Sequence, residues 1–528
     1  MAENKRWWES GVIYQIYPRS FVDSNGDGVG DLPGITGRLD YLEWLGVDAI
    51  WLSPLYPSPM ADFGYDVSDY TDVHPDYGTL EDFDELVAAA HGRGMKVVLD
   101  YVPNHTSVEH PWFEKSRSSR ESDKRDWYLW RDPAPDGGPP NNWLSHFGGP
   151  AWSYDAASGQ YYYHAYLPEQ PDLNWRNPQV QESMLDVLRF WLARGVDGFR
   201  VDALRNLVKD EQFRDNPQNP DYFPDQGPYN TLLPTRSADQ PEVHEVVAAM
   251  RDALDEYDEC LLIGELYVPV ETLVTYYASG CDLPFNFNLI TTEWNAEKLG
   301  ELIDRYEAAL PEGGWPNWVL GNHDNSRVAT RIGPEAARTA AMLLLTLRGT
   351  PTLYYGDELG MLDVDIPPDM TRDPFERNVP GMGMGRDPER TPMQWDTRRN
   401  AGFTTGEPWL PISADYLRDN VQTQSDDPAS LLSLCKSLID LRRQKTALFS
   451  GSYSRAQAGE DLLAYTRERD GQRFLILLNF NLPDRTCDLS TSSLSGEIVL
   501  STDPERELRK IDGEVQLGGY EGVIVELS

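Results

Sequence analysis

Eight short apolar runs lie between residues 12 and 358, and most neighbours are separated by a helical pattern. They read VIYQIYP (12–18), DAIWLSPL (48–55), KVVLDYV (96–102), GFRVDA (198–203), LLIGEL (261–266), CDLPFNF (281–287), NWVLGNHD (317–324) and PTLYYGDE (351–358). Each run is continuous rather than alternating, as in parallel strands buried on both faces. Between them, segment 79–95 opens with Thr79 and Asp82 at capping-box spacing and closes with Gly94. Segments 180–195, after Pro178, and 334–349 carry further helical patterns. Eight strands alternating with helices predict an α/β fold, a (β/α)8 TIM barrel.

Two stretches depart from this alternation. Residues 103–170 are rich in Trp, Tyr, Pro, Gly and Asn and separate the third and fourth runs by far more than one crossover needs. They read as an irregular domain inserted after strand three. From residue 446 the pattern alternates and carries hairpin signals such as Asp470-Gly471. The expected division is a catalytic barrel over 1–102 and 171–445, an inserted domain over 103–170, and an all-β domain over 446–528.

The charge limits the partners. With 46 basic and 86 acidic residues the net charge is −40, which disfavours nucleic acid and anionic membrane surfaces. No run approaches the 18 apolar residues or so of a membrane span. The first residues show no apolar signal core, and none of the four cysteines forms a CxxC pair. A cytoplasmic protein with a small neutral or cationic ligand is expected; oligomeric state is not readable. His105 and His323 lack zinc-ligand spacing.

Polar residues concentrate where the strands end, which in such a barrel is the active-site face. Strand three ends in Asp100, Asn104 and His105, strand four in Arg200 and Asp202, strand five in Glu265, and strand seven in His323 and Asp324. Arg200 and Asp202 share a strand face, so Arg200 is expected to lower the acid's pKa and keep it ionised. Carboxylates from different strands suit glycoside cleavage, which needs one ionised and one protonated acid.

The ordered motifs YQIYPRSF, DYVPNH, QPDLN, GFRVDA, GEL, GNHD and YYGDELG resemble the signature regions of the α-amylase superfamily, glycoside hydrolase family 13. WWESGVIYQIYPRSFVDSNGDGVGDLPGI, SPMADFGYDVSDY and GRDPERTPMQW look like its α-glucosidase and oligo-1,6-glucosidase branch. That resemblance implies a retaining exo-acting α-glucosidase using a small oligosaccharide and no organic cofactor. It implies Asp202 as nucleophile, Glu265 as general acid/base and Asp324 as transition-state stabiliser. Asp62, His105, Arg200, His323 and Arg386 would hold the terminal glucose, with Tyr65 stacked on its ring. Phe147, Tyr166 and Phe285 would line the pocket or its rim. Ala203, after the nucleophile, leans away from strict 1,6 preference. Rivals are a glucosyltransferase or isomerase acting on sucrose, maltose or trehalose, and a catalytically silent binding relative, which would normally lack one of the three acids.

One loop raises a metal question. DSNGDGVGD (23–31) opens like an EF-hand, but the position that needs a bidentate Glu is Gly34, and YQIYPRSF before it is no entering helix. The calcium-sensor reading fails. Asp23, Asn25, Asp27 and Asp31, with the carbonyl of Val29, still offer alternating hard oxygens, and the loop resembles the structural metal site of the α-glucosidase branch. A structural Ca2+ is expected there, away from the chemistry.

Overall fold

The structure is a computed structural model that describes residues 6–489 and 495–528. The eight apolar runs form eight parallel strands, each shorter than its run because the polar residues that follow leave the sheet. β1 (Ile13–Ile16), β2 (Ala49–Leu52) and β3 (Lys96–Tyr101) come first. β4 (Trp130–Arg131), β5 (Trp152–Asp155) and β6 (Gln160–Tyr163) follow outside the barrel. β7 (Gly198–Val201), β8 (Leu261–Gly264), β9 (Leu283–Pro284), β10 (Asn317–Val319) and β11 (Thr350–Tyr354) complete it. The spatial order is β10-β11-β1-β2-β3-β7-β8-β9.

The seam between β9 and β10 is joined by a side chain. Asn317 Nδ2 donates to the Pro284 carbonyl at 2.6 Å, and its Oδ1 accepts from the Asn286 amide at 2.9 Å. Pro284 has no amide hydrogen to offer a ladder, so the asparagine amide stands in for one. Ile13, Trp51, Val98, Ile263, Phe285 and Val319 fill the barrel interior.

The helices cover the outside. Helix Leu80–Gly92 has the Thr79/Asp82 capping box and buries Phe83, Leu86, Val87 and Ala90 on one stripe. Helix Pro178–Leu192 starts on its proline and buries Met184, Val187, Leu188 and Trp191. Segment 334–349 opens as a 3-10 turn, Pro334–Ala336, and becomes α-helical only at Ala337–Thr346.

Residues 103–170 hold helix Pro111–Arg117 and an antiparallel sheet in the order β4-β6-β5. Trp143, Trp152 and Tyr163 pack together there, with Phe213 against them. The C-terminal strands are β12 (Ser452–Ala456), β13 (Leu462–Arg469), β14 (Gln472–Asn479), β15 (Arg485–Asp488), β16 (Ser495–Ser501), β17 (Lys510–Asp512), β18 (Glu514–Leu517) and β19 (Gly522–Leu527). Six make one antiparallel sheet, and β15 pairs with β18. Arg469 pairs with Gln472 across Asp470 and Gly471, both at positive φ, so the Asp-Gly signal is a two-residue hairpin turn.

Candidate active site

The site begins where β7 ends. Ala203, the second residue past the strand, has φ 50° and ψ 32°, a left-handed conformation that alanine seldom adopts. The bend aims its amide at Glu265 Oε2, 2.7 Å away. Arg200 on β7 is fully buried. Its Nη1 donates to Asp100 Oδ1 at 2.6 Å and to Asp202 Oδ1 at 2.8 Å, and its Nη2 pairs with Glu265 Oε1 at 2.8 Å. The ends of β3, β7 and β8 thus bring three carboxyl groups to one guanidinium.

That sharing corrects the expected electrostatics. Asp202 is raised well above its ordinary value by burial and then by the Glu265 charge, with Arg200 opposing. Burial also raises Glu265, against Arg200. Asp100 is pushed up to about 7 by burial, with Arg200 pulling the other way. One cation divided among three acids does not offset desolvation, so the cluster retains a proton above the ordinary carboxylate range.

Asp324 differs. Burial alone would raise its pKa, but neighbouring positive charge reverses the effect and holds it well below normal. Arg386 Nη1 reaches Asp324 Oδ1 at 3.1 Å and Arg390 Nη2 reaches the same oxygen at 2.8 Å. Burial keeps His323 neutral, so the two guanidiniums carry the stabilisation. Gln15 Nε2, on β1, lies 2.7 Å from His323 Nδ1. That contact assigns the proton to Nε2, which faces the Tyr65 hydroxyl at 2.5 Å. Tyr65 in turn donates to Asp100 Oδ2 at 3.0 Å. A continuous relay therefore joins Gln15, His323, Tyr65, Asp100 and Arg200.

Asp202, Glu265 and Asp324 face a cavity of about 660 Å3. Asp62, Tyr65, His105, Phe147, Tyr166 and Arg386 line it as well. Arg386 Nη2 donates to Asp62 Oδ1 at 2.7 Å, and its guanidinium lies 4.9 Å from the Phe147 ring centroid. His105 is held neutral by burial, down to about 3, and its Nε2 meets Gln170 Nε2 at 3.1 Å. Arg200 and His323 lie a layer beneath the lining, bonded to the acids rather than open to the cavity.

Phe285 is a correction. It is fully buried among Trp51 and Phe287 in the barrel interior, 5.5 and 5.7 Å between centroids, and does not line the cavity. Its run turns inward at β9, where the strand is only two residues long. Other wall residues went unassigned in the sequence: His146, Tyr229, Tyr267, Phe375 and Met384. Tyr166 stacks on His146 at 4.7 Å, and His146 stacks on Tyr229 at 3.8 Å. Tyr229 belongs to the 3-10 turn Pro228–Thr231, in a segment with no strand or helix periodicity to flag it.

The loop 23–31 is held by its own backbone. Asp23 Oδ1 accepts from the Asn25 and Gly26 amides, and its Oδ2 from the Gly28 amide and the Thr404 hydroxyl. Asn25 Oδ1 accepts from the Asp27 amide, and Asp27 Oδ1 from the Val29 amide. Asp31 Oδ1 caps helix Leu32–Thr36 through the Gly34 amide, while its Oδ2 binds Ser24. The donors are the hard oxygens that calcium selects. Among the described residues, however, no three acidic, His or Cys side chains gather at metal-ligating spacing.

Residues 15–451 match the family described as alpha amylase, catalytic domain. An alpha-glucosidase of Culex pipiens is 42% identical over 546 residues, covering 99% of this chain and 91% of the relative. The crystal structure of the alpha-glucosyl transfer enzyme XgtA superposes with a TM-score of 0.95 at 41% identity, covering 99% of this chain and all of that one. The trehalulose synthase MutB of Pseudomonas mesoacidophila MX-45 superposes with a TM-score of 0.90 at 35% identity, over 99% of this chain and 100% of its own. A (β/α)8 barrel with three acids at its strand ends, matched over most of its length by these sequences, belongs to the α-amylase family of glycoside hydrolases.

Proposed function

We propose that the protein is a retaining, exo-acting α-glucosidase that releases terminal non-reducing α-linked glucose from short oligosaccharides such as maltose. The observation that carries this reading is the convergence of Asp202, Glu265 and Asp324 on a cavity that Arg386 closes by bonding both Asp62 and Asp324. A cavity of about 660 Å3 suits a short saccharide held by one end. The aromatic faces of Tyr65 and Phe147 offer packing for sugar C–H groups, and the polar wall offers partners for hydroxyls.

In this mechanism Asp202 attacks the anomeric carbon while Glu265 gives its proton to the leaving oxygen. A covalent β-glucosyl-enzyme forms at Asp202. Glu265, now ionised, takes a proton from water or from a second sugar's hydroxyl, which displaces Asp202. Asp324, ionised, stabilises the positive charge that develops at the sugar in both transition states. The closeness of the two acids supports retention: both pair with one guanidinium, Asp202 through Nη1 and Glu265 through Nη2.

The second reading is a sucrose isomerase or glucosyltransferase, favoured by the likeness to the trehalulose synthase MutB and to XgtA. Chromatography of products from maltose, isomaltose and sucrose separates the two. Free glucose as the main product from maltose is the expected result. Accumulation of a rearranged disaccharide from sucrose with little monosaccharide would select the alternative.

We assign the loop 23–31 a structural Ca2+ held by Asp23, Asn25, Asp27, Asp31 and the Val29 carbonyl, with no part in the reaction. The alternating oxygens support it. Because the backbone already satisfies most of these groups, the loop persists without the ion, and chelation is expected to lower Tm by only about 1 °C, equivalent to about 1 kcal/mol in a chain of this size. An unchanged Tm in excess EGTA contradicts the assignment. We also assign the protein to a reducing compartment, the cytoplasm; its four cysteines are buried and unpaired. No helix among the described residues is long and apolar enough to cross a membrane.

A further inference from the structure

Arg386 makes contacts that only one orientation of its guanidinium allows. Nη1 reaches Asp324, and Nη2 reaches Asp62. Both acids line the cavity, so a long and flexible arginine has to be fixed from behind. Asp373 does this. Its Oδ1 accepts from Arg386 Nε at 2.9 Å and Nη2 at 2.6 Å, and its Oδ2 accepts from the Arg386 backbone amide at 3.1 Å. Asp373 is fully buried and does not line the cavity. Asp387 Oδ2 holds it in turn, accepting from the Arg372 amide at 2.6 Å and the Asp373 amide at 2.9 Å. The Phe147 ring supports the guanidinium from one side.

We propose that Asp373 is a positioning residue for glucose recognition, acting through Arg386: it fixes both the backbone and the guanidinium so that Nη1 and Nη2 meet Asp324 and Asp62. Without it, Arg386 keeps its charge but loses its orientation, and its two remaining partners can recruit it into a geometry that narrows or skews the glucose site. The inference rests on reading this cavity as the glucose site. It is distinct from that reading, because Asp373 could be inert while the enzyme still hydrolyses maltose.

The test measures kcat and KM for maltose, the inhibition constant of glucose and Tm. Asp373→Asn and Asp373→Ala are each made in the wild-type and Arg386→Ala backgrounds. In the wild-type background Asp373→Ala is expected to raise KM and the glucose inhibition constant by about tenfold or more, with a smaller fall in kcat. Asp373→Asn, which keeps one acceptor, falls between. In the Arg386→Ala background the same changes have effects within about twofold. Equal losses in both backgrounds, or unchanged KM and inhibition constant in the first, overturn the proposal. Should the alanine variant fail to fold, the near-isosteric asparagine carries the same comparison. A wild-type enzyme that does not hydrolyse maltose would instead remove the reading on which the proposal stands.

Discussion

Asp202→Asn and Glu265→Gln each lower maltose turnover by about 10⁴-fold or more and leave the protein folded. Asparagine keeps the shape of Asp202 and its approach to Arg200, but it cannot attack the anomeric carbon. Glutamine keeps the Ala203 amide contact of Glu265 but cannot pass a proton to the leaving oxygen. Asp202→Asn removes a negative charge from a buried cluster in which burial raises both acids, and Glu265→Gln replaces the group that carries the proton with a neutral one. Stability is therefore expected to be unchanged or slightly higher, as when a strained site is relaxed. Turnover assays with thermal unfolding of the same samples check both halves. Near-normal maltose hydrolysis by either variant contradicts the assignment, whereas loss of activity with loss of fold says nothing about roles.

The second large effect is on stability. Arg200→Met leaves Asp100, Asp202 and Glu265 buried without their common cation. Methionine fills much of the arginine's volume, so the loss is electrostatic rather than steric. Removing one partner of a buried ion pair costs about 3–5 kcal/mol, because the charge left behind remains desolvated. The cluster answers in part by binding more protons: Asp100, already raised to about 7 against the pull of Arg200, rises further. The penalty is consequently smaller at low pH, where the acids are neutral, and grows as pH rises through their folded-state pKa values. Urea unfolding at two pH values measures it. A change under about 1 kcal/mol at neutral pH contradicts the view that Arg200 holds the cluster together.

How far the sequence reaches depends on the kind of signal. The eight barrel strands were legible because parallel strands buried on both faces leave continuous apolar runs. The acids were legible because those runs end in them. Short elements were not. β4 has two residues, too few for a period-2 pattern, and residues 103–170 therefore looked irregular although they contain a sheet. Phe285 sat in the right motif, yet its side chain points into the barrel, a choice of face that a two-residue strand does not reveal. Arg200 was correctly placed beside Asp202, but its sharing with Asp100 and Glu265 depends on three strands meeting, and burial, which the shared cation does not offset, reverses the expected pKa direction. Asp373 carries no motif of its own; only its burial against Arg386 distinguishes it from other acids in a loop.

The central claim is a two-step displacement at Asp202, and the anomer first released tests it most directly. Proton NMR of the first turnovers of maltose, faster than mutarotation, is predicted to show α-glucose from the non-reducing end. Release of β-glucose first would mean a single inversion, and would contradict the covalent intermediate and the role of Asp202 as nucleophile.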